Sequence, residues 1–540
     1  MSEANVLATT VLLLYFTVVL GVGLWAGRRE QSSAEEYFLA GRRLPWYAVG
    51  LSMVGSNIST EHFIGMVGAA YVFGLAPANW ELMALMSLSM LLFFFLPYYF
   101  RTKIFTVPTF LETRYGASTR ALFAGLSVIH LTLALLAGAL YAGGLILHDY
   151  FQPGSPAAGP DGFSWYFLGG IALVAVVTGI YSVKGGLASV VWTDVVQVVI
   201  LVAGGIAVLV FSVERAGGWS ALWAANEAAG ETRTRLLHPA DHAFAPWTGV
   251  FTLWMSLGLW YACTNQFYIQ RAFGARSEWD ARMGVILTGG VKMLMPLIVV
   301  VPGLAAFAIY GTELPRDKVF NTLVRDLLPA GFGALVLAAM AAAIMSTVSS
   351  VLNSASTILT IDFYQRFLKR EATQTDLVRV GRWTTFGLLA IGIIWAPFIA
   401  RFDKGLFIYI QDMAAFFGPP IGVIFVGGML WRGGKTGAAN AALVGGILFG
   451  LGLRVASAYA DWALLNSFLN RAFLTFVFSA AVLVGGSLIG PRFRAATAVW
   501  DRSFLRLPEA ERAAHGGWKS FHLWWALWAV AVVALMVVFA

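Results

Sequence analysis

The sequence predicts an all-α integral membrane protein with about 14 transmembrane helices, on three observations. Of its 540 residues 59% are hydrophobic and only 12% charged, with a mean hydropathy of +0.74; such a balance belongs to chains embedded in lipid. Apolar runs of about 20 residues recur from one end to the other, and no stretch is polar enough to form a separate soluble domain. Lys and Arg gather in the short intervals between those runs, as membrane topology requires.

One domain, 1–540, is therefore expected, with spans near 6 to 27, 46 to 70, 78 to 100, 118 to 148, 163 to 183, 187 to 212, 246 to 270, 282 to 311, 328 to 368, 380 to 400, 405 to 431, 436 to 456, 465 to 490 and 519 to 540. The first run, about Val6 to Ala26, has Glu3 before it and Arg28 and Arg29 after it. A secretory leader has the opposite charge order and a shorter apolar stretch, so this run reads as a retained helix with its N-terminus outside.

That orientation puts most basic intervals on the inside. They hold Arg28, Arg29, Arg42 and Arg43, then Arg101, Lys103, Arg114 and Arg120, then Lys184, then Arg271, Arg276 and Arg282. The intervals with Arg366, Lys369, Arg370, Arg379 and Arg382, with Arg432 and Lys435, and with Arg492, Arg494 and Arg502 follow the same rule. The interval from Asp149 to Asp161 has no Lys or Arg and falls outside, as does the mixed-sign one from Glu214 to Asp241. An even number of spans returns the C-terminus to the outside.

Composition also excludes. The net charge of +8 is spread through these intervals, so it reads as topology and not as a nucleic-acid footprint. The sole cysteine, Cys263, rules out a disulfide framework within the chain and a multi-Cys metal cluster. "GVGLWAG", 21–27, imitates a nucleotide loop but lies inside the first apolar run with no strand before it. No zinc motif, phosphate loop or nucleophile elbow is present, so the chain is not expected to be an enzyme.

Against this background the polar clusters stand out. "GSNISTEHFIG", 55–65, sets Ser, Asn, Ser, Thr, Glu and His inside an apolar stretch from about Trp46 to Gly74. Small residues there could serve close helix packing. Glu61 and His62 ask for more, because a titratable group in hydrocarbon needs water, a ligand or a helix end. A broken helix whose freed carbonyls face a cavity would supply it. In "AAAIMSTVSSVLNSAST", 341–357, Ala343, Ser346, Thr347, Ser350 and Ser354 fall on one helical face. Such hydroxyls can bond back to the preceding turn. Set beside a broken helix, they would instead make an oxygen-only cage, which suits a hard cation and not zinc or copper.

Asp194, Glu81 and Lys292 are single charges in apolar surroundings, each a functional candidate or half of a structural ion pair. In "IYIQDMAAFFGPP", Gln411 and Asp412 precede a Gly-Pro-Pro expected to disturb its helix.

Four stretches together, "LAGRRLPWYAVGLSMVGSNISTEHFIGMVGAAYVFGL", "GGLASVVWTDVVQVVILVAGG", "YACTNQFYIQRAFGA" and "AAAIMSTVSSVLNSASTILTIDFY", resemble the sodium:solute symporter family, most nearly its sodium/glucose cotransporter branch, over about residues 38 to 430. The resemblance implies a LeuT-type core of two inverted five-helix repeats, 46–212 and 246–431, with one extra N-terminal helix and three peripheral C-terminal helices in 436–540. It implies a multi-pass protein of the cell membrane whose partners are the lipid bilayer and a small solute, with Na+ as the co-transported ion. No feature of the sequence assigns an oligomeric state.

Position by position, the resemblance implies a sodium site of the carbonyls of Gly55, Ile58 and Ala343 and the hydroxyls of Ser346 and Thr347. A second sodium would use Ser56, Asp194, Ser349 and Ser350. Asn57, His62, Glu81, Lys292 and Gln411 would hold a sugar or polyol, and Tyr261 would gate it on the inner side. Gly258 departs from the Asn or Thr common in sugar carriers, and Ala84 from a Ser. The expected function is thus sodium-driven import of a neutral polyhydroxylated solute such as glucose, galactose or myo-inositol. A carrier of an organic acid or amino acid, and a sodium-dependent sugar sensor or leak channel, remain alternatives. The lack of Arg or Lys after Arg120 as far as Tyr150 favours a neutral solute over an acid.

Overall fold

The fold is seen in a computed structural model that describes residues 3–28, 33–59, 61–152, 155, 157–159, 162–242, 244–401, 406–459, 462–489 and 500–540. Its helices, in chain order, are α1 (Glu3–Ala26), α2 (Trp46–Asn57), α3 (His62–Phe73), α4 (Ala78–Arg101), α5 (Val107–Tyr115), α6 (Ala117–Phe151), α7 (Trp165–Arg215), α8 (247–264), α9 (Gln266–Phe273) and α10 (Glu278–Tyr310). There follow α11 (Val319–Leu327), α12 (Ala330–Leu368), α13 (Gln374–Ile399), α14 (Leu406–Leu430), α15 (Thr436–Tyr459), α16 (Phe468–Leu488) and α17 (Phe521–Val538).

Among the described residues 11 helices are individually long and apolar enough to cross a bilayer. One of them, α7, has 51 residues. Straight, it would be about 76 Å long, more than twice the ~30 Å of hydrocarbon. It turns at Gly186, whose φ of 56° and ψ of −151° suit only glycine, and a Cβ there would lie 2.3 Å from the Tyr37 carbonyl oxygen. Two further crossings are made of half-helices, α2 with α3 and α8 with α9. With these the expected 14 passes are accounted for.

Both breaks have the same local cause. Ile58 (φ −81°, ψ 104°) and Asn265 (φ −85°, ψ 117°) are extended. Around them stand Gly55, Ser56 and Asn57 in one case and Thr264 and Gln266 in the other. Ser56 and Thr264 return their hydroxyls to the carbonyls of Ser52 and Trp260, each at 2.9 Å, and such back-bonding weakens a helix locally. The two broken elements are joined at one end of the bundle: Leu44 donates its N–H to the Gly274 carbonyl at 3.0 Å, and Arg276 donates to the Leu44 carbonyl at 3.1 Å.

Burial orders the layers. The apolar window of α12 is 94% buried, against 33% for α1 and 17% for α17, so α12 is the central post and the other two face outward. Its Ala- and Ser-rich faces pack on α1, α2, α7 and α9. α1 approaches α7 so closely that a Cβ on Gly27 would sit 2.6 Å from the Gly185 Cα. Residues 231–242 form a strap over one end of the bundle. The Arg233 carbonyl accepts from Leu75 N–H at 2.7 Å, the Leu236 carbonyl accepts from Asn79 Nδ2 at 2.6 Å, and Leu236 N–H reaches the Phe539 carbonyl at 2.7 Å.

Two expectations are corrected. Gly-Pro-Pro does not break its helix: α14 runs through Pro419 and Pro420. The Pro420 ring packs against Gly446 of α15, where a Cβ would come within 2.6 Å of its Cγ. In a bundle, neighbours of this kind hold a proline-bearing helix together. Several arginines assigned to loops are instead inside helices and buried, among them Arg114, Arg120, Arg271 and Arg282. Each has found an acceptor that offsets the cost of burial: Gly428 and Trp431 carbonyls for Arg114, Asp362 and Glu112 for Arg120, Asp194 for Arg271 and Glu278 for Arg282. Lys184 likewise lies within α7.

Candidate solute and cation site

The break after Asn57 delivers the end of α2 into the middle of the bundle. Asn57 Oδ1 accepts from Lys292 Nζ of α10 at 2.5 Å, and its Nδ2 donates to the Tyr261 hydroxyl of α8 at 2.7 Å. Lys292 Nζ is also 2.8 Å from Glu81 Oε2 of α4. Glu81 Oε1 lies 3.1 Å from His62 Nε2 of α3. Because His62 Nδ1 accepts the Ser59 N–H at 3.3 Å, its proton belongs on Nε2, facing the carboxylate.

Five side chains from five helical segments thus form one polar chain, from Tyr261 through Asn57, Lys292 and Glu81 to His62. Its two fixed charges cancel. The chain lines one side of a cavity of about 150 Å³, whose wall also carries Gln411 of α14, Thr347 of α12 and the aromatic rings of Trp80, Trp254 and Trp260. Among the described residues Gln411 makes no hydrogen bond, whereas its neighbour Asp412 is taken by Arg454 and Arg471, each at 2.8 Å. Directional donors and acceptors beside aromatic faces, without net charge, suit a neutral ligand with many hydroxyls.

Next to the cavity, α2, α7 and α12 meet. A Cβ on Gly55 would lie 3.0 Å from Val198 Cγ2, 3.1 Å from Ser346 Oγ and 3.4 Å from the Asp194 Cβ, so the three helices approach closely here and a methyl group would need its neighbours to give by a few tenths of an ångström. Ser346 donates to Asp194 Oδ1 at 2.6 Å. Thr347 returns its hydroxyl to the Ala343 carbonyl at 3.0 Å, one turn back on the same face. Ile58 is buried at the break, where the last turn of α2 leaves carbonyls without helical donors. Of the expected sodium ligands, Gly55 and Ser346 are therefore in contact, Ala343 and Thr347 share a hydrogen bond, and Ile58 closes the broken end. All the donors are carbonyl or hydroxyl oxygens, which fits a hard monovalent cation.

The second set is differently engaged. Asp194 Oδ2 receives the Ser52 hydroxyl at 2.5 Å and stands 3.7 Å from Arg271 Nη2. Arg271, fully buried, also donates to Ser350 Oγ, to Ser52 Oγ at 3.2 Å and to the Phe267 carbonyl. Ser56 and Ser349 turn their hydroxyls to the carbonyls of Ser52 and Ser346, at 2.9 and 3.0 Å. Farther along the same stripe Ser354 donates to Gln270 Oε1 at 2.9 Å. A guanidinium therefore occupies the neighbourhood of the Asp194 carboxylate. Sequence reasoning missed Arg271; the available signal was Asp194 itself, a lone buried acid in need of a cation.

Known proteins resemble this chain over most of its length. The model of the sodium:solute symporter family matches residues 37–448. A sodium/glucose cotransporter of Vibrio parahaemolyticus is 33% identical over 506 residues, 88% of this chain and 89% of that one. Sodium/myo-inositol cotransporter 2 of Mus musculus is 31% identical over 477 residues, 82% of this chain and 69% of that one. Among solved structures, a substrate-bound, outward-open sodium-coupled sialic acid symporter superposes with a TM-score of 0.78 at 21% identity, over 90% of this chain and 99% of the other.

Proposed function

Since the chain belongs to the sodium:solute symporter family, whose members carry small solutes across membranes and are not enzymes, we propose that this member imports a neutral polyhydroxylated solute, a sugar such as glucose or galactose or the polyol myo-inositol. The observation that carries the reading is the charge-balanced chain Tyr261–Asn57–Lys292–Glu81–His62 along one cavity wall. Amide, imidazole, carboxylate and ammonium offer partners to hydroxyls in several directions, and no unpaired cation in the cluster awaits a carboxylate. The relatives named for glucose and myo-inositol support the same solute class.

In this reading sodium is taken by the carbonyls of Gly55, Ile58 and Ala343 and the hydroxyls of Ser346 and Thr347. Binding there ties the broken α2 to α12 and favours the state open to the outside. The solute then binds between Asn57, His62, Glu81, Lys292 and Gln411. Loss of sodium to the interior releases the contact, and the solute leaves past Tyr261. Only a difference in affinity between the two states can couple the solutes. At about 100 mV one cation contributes roughly 2.3 kcal/mol, enough for about 50-fold accumulation of a neutral solute. A second ion would use Ser56, Asp194, Ser349 and Ser350, and would require Arg271 to share the carboxylate. The repeats 46–212 and 246–431 each begin with one of the two broken helices, which supports their assignment as inverted units. The protein lies in the cell membrane with both termini outside.

The test is uptake of labelled glucose, galactose and myo-inositol into proteoliposomes with and without an inward sodium gradient. Accumulation of one of them above equilibrium only with sodium is the expected result. If none accumulates in folded protein, the solute class is wrong.

A further inference from the structure

Beyond the polar chain, the cavity touches two titratable side chains that the reading above does not use, Tyr268 and His130, and only the second has an unpartnered buried ring nitrogen. His130, in α6, lines the cavity from the side of Gln411 and Trp260. It is 5% exposed, and its Nε2 has no hydrogen-bond partner among the described residues. Its ring is held edge-on by Trp260, with centroids 5.0 Å apart at 86°, and tilted against Phe417 at 5.6 Å. An imidazole enclosed by aromatic rings inside a membrane span, with a nitrogen left unsatisfied, loses free energy that a Phe or Leu at the same place would not.

Two features point the ring at a ligand. α6 leaves α-helical winding at this residue and runs as a π-helix over His130–Leu136; one such widened turn re-aims the side chains that follow the normal register, and such turns gather at functional sites. His130 and Trp260 also line a second, smaller pocket, which continues past them to Ser127, Thr264 and Asn265. The pair therefore stands between the cavity and a small recess of mixed lining beyond it.

We propose that His130 is a further solute-binding residue, its imidazole hydrogen-bonded to one hydroxyl of the carried sugar or polyol and thereby choosing among solutes that differ at that carbon. The proposal rests on the cavity being the solute site. A neutral imidazole can donate from one nitrogen and accept at the other, so it recognises a hydroxyl in either role. Trp260 and Phe417 fix the ring, which gives the bond its direction.

The experiment uses the full chain in proteoliposomes, unaltered and as His130→Phe and His130→Gln, with whichever of glucose, galactose and myo-inositol the unaltered protein accumulates, together with its monodeoxy analogues. The expected result is a KM for the solute about 5–30-fold higher in His130→Phe, a smaller rise in His130→Gln, and a sodium half-saturation that does not move in either. For one monodeoxy analogue, the one lacking the recognised hydroxyl, the unaltered protein and His130→Phe should show the same KM. An unchanged KM for the parent solute in His130→Phe, or an equal loss for every analogue, overturns the proposal and leaves the sugar reading intact. Absence of sodium-driven uptake by the unaltered protein overturns both. If neither variant yields folded protein, His130 is structural and the proposal fails.

Discussion

Asp194 Oδ1 takes the Ser346 hydroxyl at 2.6 Å, and this bond fastens the central helix α12 to α7 beside Gly55 in the last turn of α2. Thr347, the next residue, gives its hydroxyl only to its own helix. Thr347→Ala should therefore leave the helix contacts in place and remove one proposed cation ligand. Sodium half-saturation of uptake, titrated at saturating solute, should rise about tenfold, or ~1.4 kcal/mol. Ser346→Ala should raise it further, because Asp194 loses a donor as well. An unmoved sodium curve for Thr347→Ala removes that residue from the site.

Lys292→Met should damage both fold and function. It leaves Glu81 buried with His62 as its remaining partner, a loss of about 3–5 kcal/mol for a broken buried pair. The melting temperature in detergent should fall accordingly. Adding Glu81→Gln should restore much of the stability and none of the transport. A double variant as unstable as the single one would mean that the pair's charge is not what Lys292 serves.

Gln411→Ala should act on the solute alone. One unsatisfied amide faces the cavity, so its removal should raise the solute KM severalfold, on the order of 1 kcal/mol, with the sodium dependence retained. Solute binding that does not change would take Gln411 out of the site.

Acid should loosen the strap at 231–242. Burial pushes the His238 imidazole down to about 4, with the stacked His242 ring 4.3 Å away adding to the effect. The folded form thus resists a proton that the unfolded chain accepts below about 6.5. The unfolded state binds more protons between those values, so this contribution to stability is complete above pH 6.5 and is lost as pH falls towards 4. His238→Gln should flatten the dependence of melting temperature on pH in that window. A slope equal to that of the unaltered protein would exclude His238 as its source.

Gly186→Ala should abolish folded protein. The substitution demands a backbone conformation that L-residues avoid, at a cost of about 1–3 kcal/mol, and drives a methyl group into the Tyr37 carbonyl. Yield of monodisperse protein after extraction reads the outcome. A stable Ala variant would show that the turn between the two passes of α7 can be remade.

What the sequence displayed depended on how local the cause was. The break at Ile58 was visible because Gly55, Ser56 and Asn57 crowd one turn; its counterpart at Asn265 was not singled out, since Thr264 and Gln266 stand among bulky residues. Glu81 and Lys292 were recognisable as charges in need of a partner because each stands alone in an apolar run; that they pair with each other is seen only in the structure. Arg271 was not, because an arginine near the end of a span satisfies the topology rule equally well when exposed; its burial follows from Asp194, a residue of another helix. The continuity of α14 through Pro419 and Pro420 depends on Gly446, and nothing near the prolines announces it. His130 was lost among the leucines around it, although an imidazole there needed a reason.

The pairing of Leu44 with Gly274 and Arg276 has a mechanical corollary. Two backbone hydrogen bonds clamp the strand entering α2 to the strand leaving α9, so at that end the two half-helices share a single pivot. Neither can swing alone without breaking both bonds, at about 1 kcal/mol each. A rotation that shifts Gly55 and Asn57 on one lever arm must therefore carry Tyr261 and Arg271 on the other, and the proposed cation and solute contacts are geared to one stroke.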